Sequence, residues 1–349
     1  MVALRPEWEW IYYAHRDVHR GDAPPDTLLR RCRLGGPVGR LTALGACFPF
    51  WLALDRPHLF WSPAHRLPLW LPADTARVVT IHDLVWKRAP ETMRGATRQL
   101  DALLMPRALH KADRIIAVSN ATAKDIVEFF PEAREKVSVV PEGVSPLPDP
   151  QPVEALMALE VTVPYVLFVG TLEPRKNLSR LMEAFAALPT HVAREVQLVI
   201  AGTKGWGADD LTQKLARLRL GNRVRLVGRI GDQELATLYR HAICLAMPSL
   251  YEGFGLPLVE AMALGTPVLT SSVSSMPEVA GEAAILVNPL DVRSITEGMA
   301  RIIGIPSLRE DLRAKTRAQA AKFRWDRAAE MTLKVFETAM ADSRGGKIQ

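Results

Sequence analysis

The stretch SLYEGFGLPLVEAMALGTPVLTS (249–271) contains a glycine-rich turn, a helix and a strand in immediate succession. Gly253 and Gly255 leave the backbone of the turn uncrowded, and Pro257 has the fixed φ of a first helical position. Three backbone amides therefore point outward together at the positive end of the helix dipole, those of Phe254, Gly255 and Leu256. A turn of this kind is suited to binding an anion or a hydroxyl group.

Two glutamates accompany this turn. Glu252 lies in the turn itself, and Glu260 lies eight residues later, about one turn into the helix. Acceptors placed in this way could hold a sugar hydroxyl and a ribose diol at opposite ends of one ligand. The alternative is a solvated loop residue and a surface helix residue. The apolar neighbours Val259 and Ala261 favour a bound partner, because a carboxylate among apolar residues needs one.

A second motif, VGTLEPRKNLSRLMEAF (169–185), contains adjacent cations at the start of a helix. A strand ends at Gly170, and Arg175 and Lys176 stand just before a helix that Asn177 could cap. The guanidinium group can bind phosphate oxygens in bidentate fashion, and the ammonium group adds a compact charge. The pair is therefore suited to a diphosphate. A solvated basic pair is the alternative reading.

Short apolar runs alternate with amphipathic helical segments along the whole chain. The predicted strands lie at 10–14, 58–61, 77–83, 114–119, 137–141, 165–170, 196–202, 224–228, 244–249, 267–271 and 283–288. Runs that are apolar on both faces are typical of parallel sheets covered by helices on each side. The pattern predicts a doubly wound α/β fold, in which ligands bind at the carboxyl ends of the strands.

A proline-rich connector at 141–153 interrupts both periodicities and predicts a boundary between two Rossmann-like domains. We expect an amino-terminal domain over 1–150 and a carboxy-terminal domain over 151–323. The remainder, 324–349, reads as a long amphipathic helix that packs back across the junction. Two domains of this size imply a cleft between them.

Composition excludes several classes of protein. The 349 residues include 44 Lys and Arg against 38 Asp and Glu, a net charge of +6 that suits an anionic partner. The basic residues are dispersed, so we expect no nucleic-acid partner. The three cysteines have no C-x-x-C spacing, and the first residues lack the pattern of an export signal, so we expect a cytoplasmic protein with no metal site.

One apolar segment, LTALGACFPFWLAL (41–54), is too short to span a membrane. It is interpreted either as a buried core helix or as an element that faces a membrane surface or an acceptor. Six of the eight tryptophans lie at or before Trp86. They could pack in a core or contact a sugar, a lipid carrier or a membrane surface.

The motifs together resemble the retaining family 4 glycosyltransferases with the GT-B fold. The resemblance rests on the E-x7-E pair Glu252 and Glu260, on GTLEPRKNL, and on TIHDL at 80–84. It covers most of the chain, from about residue 8 to the last helix. The usual first strand and glycine-rich loop are not recognised, and GGPVGR (35–40) resembles such a loop only in letters.

The resemblance implies a role for each matched residue. Arg175 and Lys176, beside Gly170, would hold the donor diphosphate, and Glu260 would bind the ribose. Glu252, with Gly253 and the amides of Phe254, Gly255 and Leu256, would engage the transferred sugar and its phosphate. His82 matches the histidine that faces the sugar and the acceptor. The loops at 227–235 and 201–207 would border the base and the ribose.

The implied activity is a metal-independent hexosyl transfer from a nucleotide-diphosphate sugar, with GDP-mannose as the first expectation. The acceptor would be a glycan or a lipid-linked glycan in polysaccharide or glycolipid biosynthesis, reached by peripheral contact with the inner face of a bacterial membrane. No cofactor is expected. The alternatives are a nucleotide-sugar epimerase of the same fold and an inactive sugar-nucleotide-binding subunit.

Overall fold

The computed structural model describes residues 1–14, 27–32, 39, 41–161, 164–194, 196–206 and 211–345. Of the segment GGPVGR only Gly39 is described, so the interpretation of that segment as a loop lies outside the described residues. The same holds for Gly207 at the end of the 201–207 loop.

Twelve strands form three sheets within this part of the chain. The strands are β1 (Ile11–Ala14), β2 (Leu28–Arg31), β3 (Leu59–Ser62), β4 (Ala76–Ile81), β5 (Arg114–Ala117), β6 (Val137–Val139), β7 (Tyr165–Val169), β8 (Gln197–Ala201), β9 (Val224–Gly228), β10 (Cys244–Met247), β11 (Val268–Ser271) and β12 (Ala284–Val287). All of the strand pairs are parallel. The predicted α/β class is therefore confirmed.

Helices connect the strands. They are α1 (Phe48–Asp55), α2 (Val85–Arg88), α3 (Gly95–Lys111), α4 (Asn120–Phe129), α5 (Leu178–Ala186), α6 (Thr190–Ala193), α7 (Leu211–Arg217), α8 (Asp232–His241), α9 (Leu256–Ala263), α10 (Met276–Ala280), α11 (Val292–Gly304), α12 (Pro306–Ala320) and α13 (Trp325–Gly345). The segment Ala43–Cys47 is a π-helical turn that leads directly into α1.

The carboxy-terminal sheet has the order β12-β11-β10-β7-β8-β9. The chain therefore builds outward from β7 in one direction through β8 and β9, and then in the other direction from β10. This is the strand order of a dinucleotide-binding Rossmann fold, with its switch point between β7 and β10. Ligands bind at the carboxyl ends of the strands at such a point.

Apolar residues cover both faces of this sheet. One cluster includes Tyr165 and Met262, and the other includes Phe168 and Phe185. The four-stranded sheet β3-β4-β5-β6 has a core containing Leu52 and Ile115 on one face. Its other face is covered by residues of α13, which passes back to it from the carboxy-terminal end of the chain.

The sequence pattern missed β2, which pairs with β1 in a small separate sheet. Its sequence, LLRR, lacks the apolar run that marks the other strands. Arg30 in this strand forms an ion pair with Asp55 of α1, at 2.5 Å between guanidinium nitrogen and carboxylate oxygen. The carboxylate of Asp55 thus offsets the charge of Arg30 in the folded chain. This partner lies 25 residues away in sequence, so the local pattern did not reveal the strand.

Candidate active site

Two loops meet at the switch point of the carboxy-terminal sheet. The loop after β7 covers 170–176, and the loop after β10 covers 248–255. The amide of Leu250 donates a hydrogen bond of 2.8 Å to the carbonyl of Arg175. The two motifs that the sequence presents some 75 residues apart are therefore joined by their main chains.

Glu252 lies between the two cations of the first loop. Its Oε2 is 2.5 Å from a terminal guanidinium nitrogen of Arg175, and its Oε1 is 2.5 Å from Nζ of Lys176. The glutamate is only 5 % exposed and the lysine only 8 %. Three ionised groups thus share one largely desolvated site with a net charge of +1.

Electrostatics keeps this glutamate ionised. Burial alone would raise the pKa of Glu252, but the charges of Lys176 and Arg175 outweigh it and hold that pKa below its ordinary value. Burial likewise opposes the charge on Arg175, and the carboxylate of Glu252 restores it, so that the pKa of Arg175 is raised. The Arg175 guanidinium therefore remains available as a charged group when an anion enters.

Asn177 follows the two cations, and the structure corrects the prediction that its side chain caps the next helix. Its Nδ2 donates to the carbonyls of Pro248 and Pro289, at 2.8 and 2.7 Å. Its Oδ1 accepts from Arg180. The buried side chain is thus committed to satisfying two carbonyl groups, and it ties the loop after β7 to the loop after β10.

The turn before α9 has the backbone geometry that the glycines predict. Gly255 has φ of +104°, a conformation that side-chain-bearing residues rarely adopt. Within the described part of the chain, no group accepts a hydrogen bond from the amides of Phe254, Gly255 or Leu256. These three donors at the start of a helix are therefore available for a ligand.

Glu260 lies one turn into α9, as the sequence predicts, but its carboxylate does not join the ionic cluster of Arg175, Lys176 and Glu252. Its Oε2 accepts a hydrogen bond of 2.8 Å from the hydroxyl of Tyr239 on α8. Burial raises the pKa of Glu260, and the charge of Asp232 adds to this while the Tyr239 hydroxyl opposes it. Among the described residues, no ion pair or hydrogen bond joins Glu260 to Glu252.

His82 reaches the same site from the other sheet, at the carboxyl end of β4. Its carbonyl oxygen lies so close to Gly253 that a Cβ on this glycine would be 1.7 Å away. The hydroxyl of Thr122 lies 3.2 Å from the same carbonyl and 3.3 Å from the carbonyl of Gly253. The backbone of the glycine turn is therefore in direct contact with the amino-terminal sheet.

The imidazole ring of His82 contacts two acceptors. Its Nδ1 is 2.9 Å from Oε1 of Glu142, and its Nε2 is 2.8 Å from the carbonyl of Pro63. The imidazolium form of the ring can donate to both acceptors at once. The hydrogen bond to Glu142 is the main reason that the pKa of His82 is raised, although burial opposes it. Glu142 was not identified from the sequence.

The His82–Glu142 pair predicts a dependence of stability on pH. A pKa raised above the unfolded value of about 6.5 stabilises the fold fully below that pH and loses this contribution as the pH rises through the folded-state pKa. The free energy of unfolding, measured by urea titration, should therefore decline above about pH 6.5. The decline should be shallower in His82→Gln and Glu142→Gln. Curves parallel to that of the wild type would contradict the assignment.

Tyr251 is a further residue that the sequence did not single out. Its hydroxyl donates to Oδ2 of Asp125 at 2.7 Å and accepts from the amide of Leu84 at 3.1 Å. Arg88 binds the other oxygen of Asp125 at 2.8 Å. Tyr251 thus anchors the loop before Glu252 to α4 and to the loop after β4. The sequence offered one indication of a role for Tyr251, its position next to Glu252. Its hydrogen-bond partners are distant along the chain.

The structure thus brings most of the predicted residues together. Arg175, Lys176 and Glu252 form one ionic cluster, with Gly170 beside the Lys176 side chain and the turn 253–256 directly following. His82 contacts this turn through its backbone. Glu260 lies apart, against α8. The arrangement offers an anion two cations and, in the turn that follows, free backbone amides.

Two family models match this chain, one in each half. The family description "Glycosyltransferase Family 4" matches residues 6–146, and "Glycosyl transferases group 1" matches residues 158–319. The O-antigen chain mannosyltransferase B of Escherichia coli is 32% identical over 294 residues, which are 82% of this chain and 76% of that protein. The MMP alpha-(1->4)-mannosyltransferase of Mycolicibacterium hassiacum is 34% identical over 242 residues, covering 68% of this chain and 57% of that one.

A solved structure shows the same architecture. Sucrose-phosphate synthase from Thermosynechococcus elongatus superposes with a TM-score of 0.78 at 22% identity, covering 98% of this chain and 91% of that one. At this identity the likeness concerns the fold. The chain therefore shares the fold of that enzyme over nearly its whole length.

Proposed function

Because the chain belongs to family 4 of the glycosyltransferases with the GT-B fold, we propose that it is a retaining, metal-independent hexosyltransferase that uses a nucleotide-diphosphate sugar. The observation that carries this proposal is the ionic cluster of Arg175, Lys176 and Glu252 at the switch point of the carboxy-terminal sheet. Free amides at the start of α9 adjoin the cluster. Together they form a site for a diphosphate.

Sugar transfer breaks the bond between the anomeric carbon and the diphosphate oxygen, and negative charge develops on the departing nucleotide. Arg175 and Lys176 would bind that diphosphate and offset its charge, which is the largest contribution that such a site can make. The incoming anion competes with Glu252 for the two cations. Glu252 would then turn to the hydroxyls of the transferred sugar, and Glu260 would bind the ribose.

Retention is proposed through attack by the acceptor hydroxyl on the face from which the nucleotide leaves. The new bond joins the acceptor oxygen to the anomeric carbon, and the hydroxyl proton passes to the departing diphosphate oxygen. The His82 ring is held by Glu142 and Pro63 of the amino-terminal half, whereas the two cations follow β7 of the carboxy-terminal sheet. It would face the sugar and the acceptor. Its imidazolium charge would be placed near the developing negative charge, or would orient a hydroxyl group through Nε2 once this nitrogen leaves Pro63.

The proposed metal independence is supported by the residues that would bind the donor diphosphate. No two aspartates in the sequence are two residues apart, so the D-x-D triplet that chelates a divalent ion is missing. The cation pair and the amides of α9 would supply the charge that a metal ion supplies elsewhere. We expect transfer rates to stay within about twofold after treatment with EDTA. A loss that added magnesium or manganese restores would contradict the proposal.

Mannose is the proposed sugar and GDP-mannose the proposed donor. Two relatives that are mannosyltransferases support the choice of sugar. We expect GDP-mannose to raise the unfolding temperature more than UDP-glucose, UDP-N-acetylglucosamine or ADP-glucose. A ligand at 100 times its Kd stabilises the fold by about 2.7 kcal/mol. A larger shift with a uridine nucleotide sugar would reassign the donor.

The proposed acceptor is a glycan or a lipid-linked glycan in polysaccharide or glycolipid biosynthesis, and the enzyme would act in the cytoplasm with peripheral contact to the inner membrane face. Product analysis with and without an acceptor tests the reaction. A new glycoside that forms only with acceptor supports transfer. An altered nucleotide sugar would indicate an epimerase, and donor binding without any product would indicate an inactive subunit.

A further inference from the structure

Two of the three cysteines lie side by side in the amino-terminal half of the chain. Sγ of Cys32 and Sγ of Cys47 are 2.9 Å apart, although the two residues are 15 positions apart in sequence. Both cysteines are free thiols in the structure. Because a disulfide bond is about 2.05 Å long, the two sulfur atoms would have to approach by only about 0.9 Å to form one.

The backbones of the two cysteines are fixed by their own elements. The amide of Cys32 donates a hydrogen bond of 2.8 Å to the carbonyl of Ala14, which continues the pairing of β1 with β2. Cys47 is the last residue of the π-helical turn Ala43–Cys47, which leads directly into α1. The sequence gave no indication of this pair, because it is created by the position of β2 beside the helical segment.

Asp55 holds β1 and β2 against α1, the helix that follows Cys47. Its Oδ2 accepts a hydrogen bond of 2.9 Å from the hydroxyl of Tyr13, and its Oδ1 accepts one of 2.5 Å from Arg30. These contacts join the same two parts of the fold as the sulfur pair, and they do not involve sulfur. A bond between the thiols would therefore link segments that are already held together.

The apolar segment 41–54, which contains Cys47, forms part of the amino-terminal core. Phe48 and Leu52 are buried, as the core-helix interpretation of this segment predicts, and Cys47 packs against the same cluster as the buried Cys32. Within the described residues, no helix has the length and apolar character needed to cross a membrane. The sulfur pair thus lies at the edge of this core.

Exposure distinguishes the three cysteines. Cys32 is only 4% exposed, whereas Cys47 is half-buried, so a small reagent would reach Cys47 first. Cys244 is fully buried in β10, and burial raises the pKa of its thiol to about 12. A thiol of this kind is neither accessible nor ionised at neutral pH, and it is therefore inert.

We propose that Cys32 and Cys47 form a modification site at which a low-molecular-weight disulfide, such as glutathione disulfide, oxidises the two thiols to an intramolecular disulfide bond. The contact between the sulfur atoms, the support of both backbones and the partial exposure of Cys47 carry this assignment. The site contains none of the residues of the ionic cluster, and its existence does not depend on the proposed function.

The oxidation proceeds by two exchange steps. The Cys47 thiol loses its proton to solvent, and its thiolate attacks one sulfur of glutathione disulfide, which forms a mixed disulfide and releases one glutathione thiolate. The Cys32 thiol then loses its proton, attacks the Cys47 sulfur and releases the second glutathione. In sum, the two cysteines lose two electrons and two protons, and glutathione disulfide takes them up to become two glutathione thiols.

The local environment determines which of the two steps is slow. The hydrogen bond with Cys32 and, after it, burial raise the pKa of Cys47 to about 11. Because the thiolate is the attacking species, the first step is slow at neutral pH and faster in a mildly alkaline buffer. The second step is intramolecular between sulfur atoms that are already close, so the mixed disulfide should not accumulate.

The cross-link would join β2 to the π-helical turn. This turn also binds the loop after β3, since the amide of Leu69 donates to the carbonyl of Leu44 at 2.9 Å. The same loop carries Pro63, whose carbonyl accepts a hydrogen bond from the His82 ring. Oxidation would thus stiffen segments that adjoin the loop holding His82. A cross-link also removes conformations from the unfolded chain, so the oxidised protein should be more stable.

Thiol counting on the full chain tests the site. The folded, reduced protein is incubated with glutathione disulfide at about pH 8.5 and then unfolded, and its free thiols are counted. We expect the count to fall from three to one, with a mass lower by two hydrogen atoms and a peptide that joins Cys32 to Cys47. Excess dithiothreitol should restore all three thiols. Three free thiols after oxidation, glutathione left on Cys47, or a disulfide between two chains would overturn the inference.

Single variants separate the roles of the two sulfur atoms. Cys32→Ala should stop at the mixed disulfide on Cys47, because no second thiol is left to displace glutathione. Cys47→Ala should leave Cys32 reduced. Cys244→Ala is the matched control and should still form the cross-link, with no free thiol remaining. A disulfide with Cys244 in either of the first two variants would contradict the assignment.

Thermal unfolding provides a second measurement. The oxidised wild type should unfold about 5 °C above the reduced protein, and dithiothreitol should remove the difference. Cys32→Ala and Cys47→Ala should show no such rise after the same treatment. An unfolding temperature of the oxidised wild type equal to or below that of the reduced protein would show that the bond distorts the fold, and it would overturn the inference.

Discussion

Replacement of Lys176 by alanine is expected to lower the turnover number for sugar transfer by about 10²–10³-fold, the usual effect of removing one preorganised charge-stabilising group. Lys176 and Arg175 are the two cations that contact Glu252, and each would offset charge on the departing diphosphate. The loss should appear in kcat measured at saturating donor. Wild-type kcat in Lys176→Ala would contradict the proposed role of the cluster.

Stability needs a separate control, because Lys176→Ala leaves a buried carboxylate with one partner fewer. In Lys176→Ala/Glu252→Gln that carboxylate is neutral, so the unfolding temperature should recover while kcat stays low. Lys214 is an equally buried lysine, 2.5 Å from a carboxylate oxygen of Glu183 on α5. Lys214→Ala should lose stability and keep its kcat.

Replacement of Gly253 by alanine is expected to lower kcat by about 10²-fold, although a single methyl group is added. The new Cβ would lie 1.7 Å from the carbonyl oxygen of His82 and 2.7 Å from its carbonyl carbon. A flexible side chain could rotate away from the new methyl group, but the His82 carbonyl is backbone and cannot. The glycine turn and the end of β4 must therefore move apart. A displacement of about 1 Å between catalytic groups can cost that much activity.

Gly304→Ala provides the matched control, because a Cβ on this residue at the end of α11 meets nothing within 4 Å. It should leave kcat and the unfolding temperature close to the wild-type values. In Gly253→Ala, small-angle scattering should report a larger radius of gyration, and the unfolding temperature should fall. Normal activity in Gly253→Ala would show that the two halves need not touch here.

Much of the fold could be read from the chain because its strands are buried on both faces. The strands from β3 to β12 carry apolar runs that lie close to the predicted positions, and parallel pairing follows from the helices between them. β2 was missed because Arg30 finds a compensating carboxylate, that of Asp55, only through folding. The cap assigned to Asn177 was wrong because its amide serves two distant carbonyls.

The sequence by itself determined the fold class, the motifs at 169–185 and 249–271, and the glycine turn with free amides before α9. Each of these depends on the spacing and backbone preferences of neighbouring residues. Only the tertiary structure decided that Glu252 sits between Arg175 and Lys176, that Glu142 holds the His82 ring, and that Tyr251 binds Asp125 in the amino-terminal half. It also decided which side of the segment 41–55 faces water. These contacts join groups distant along the chain, and local spacing carries no information about their distance in space.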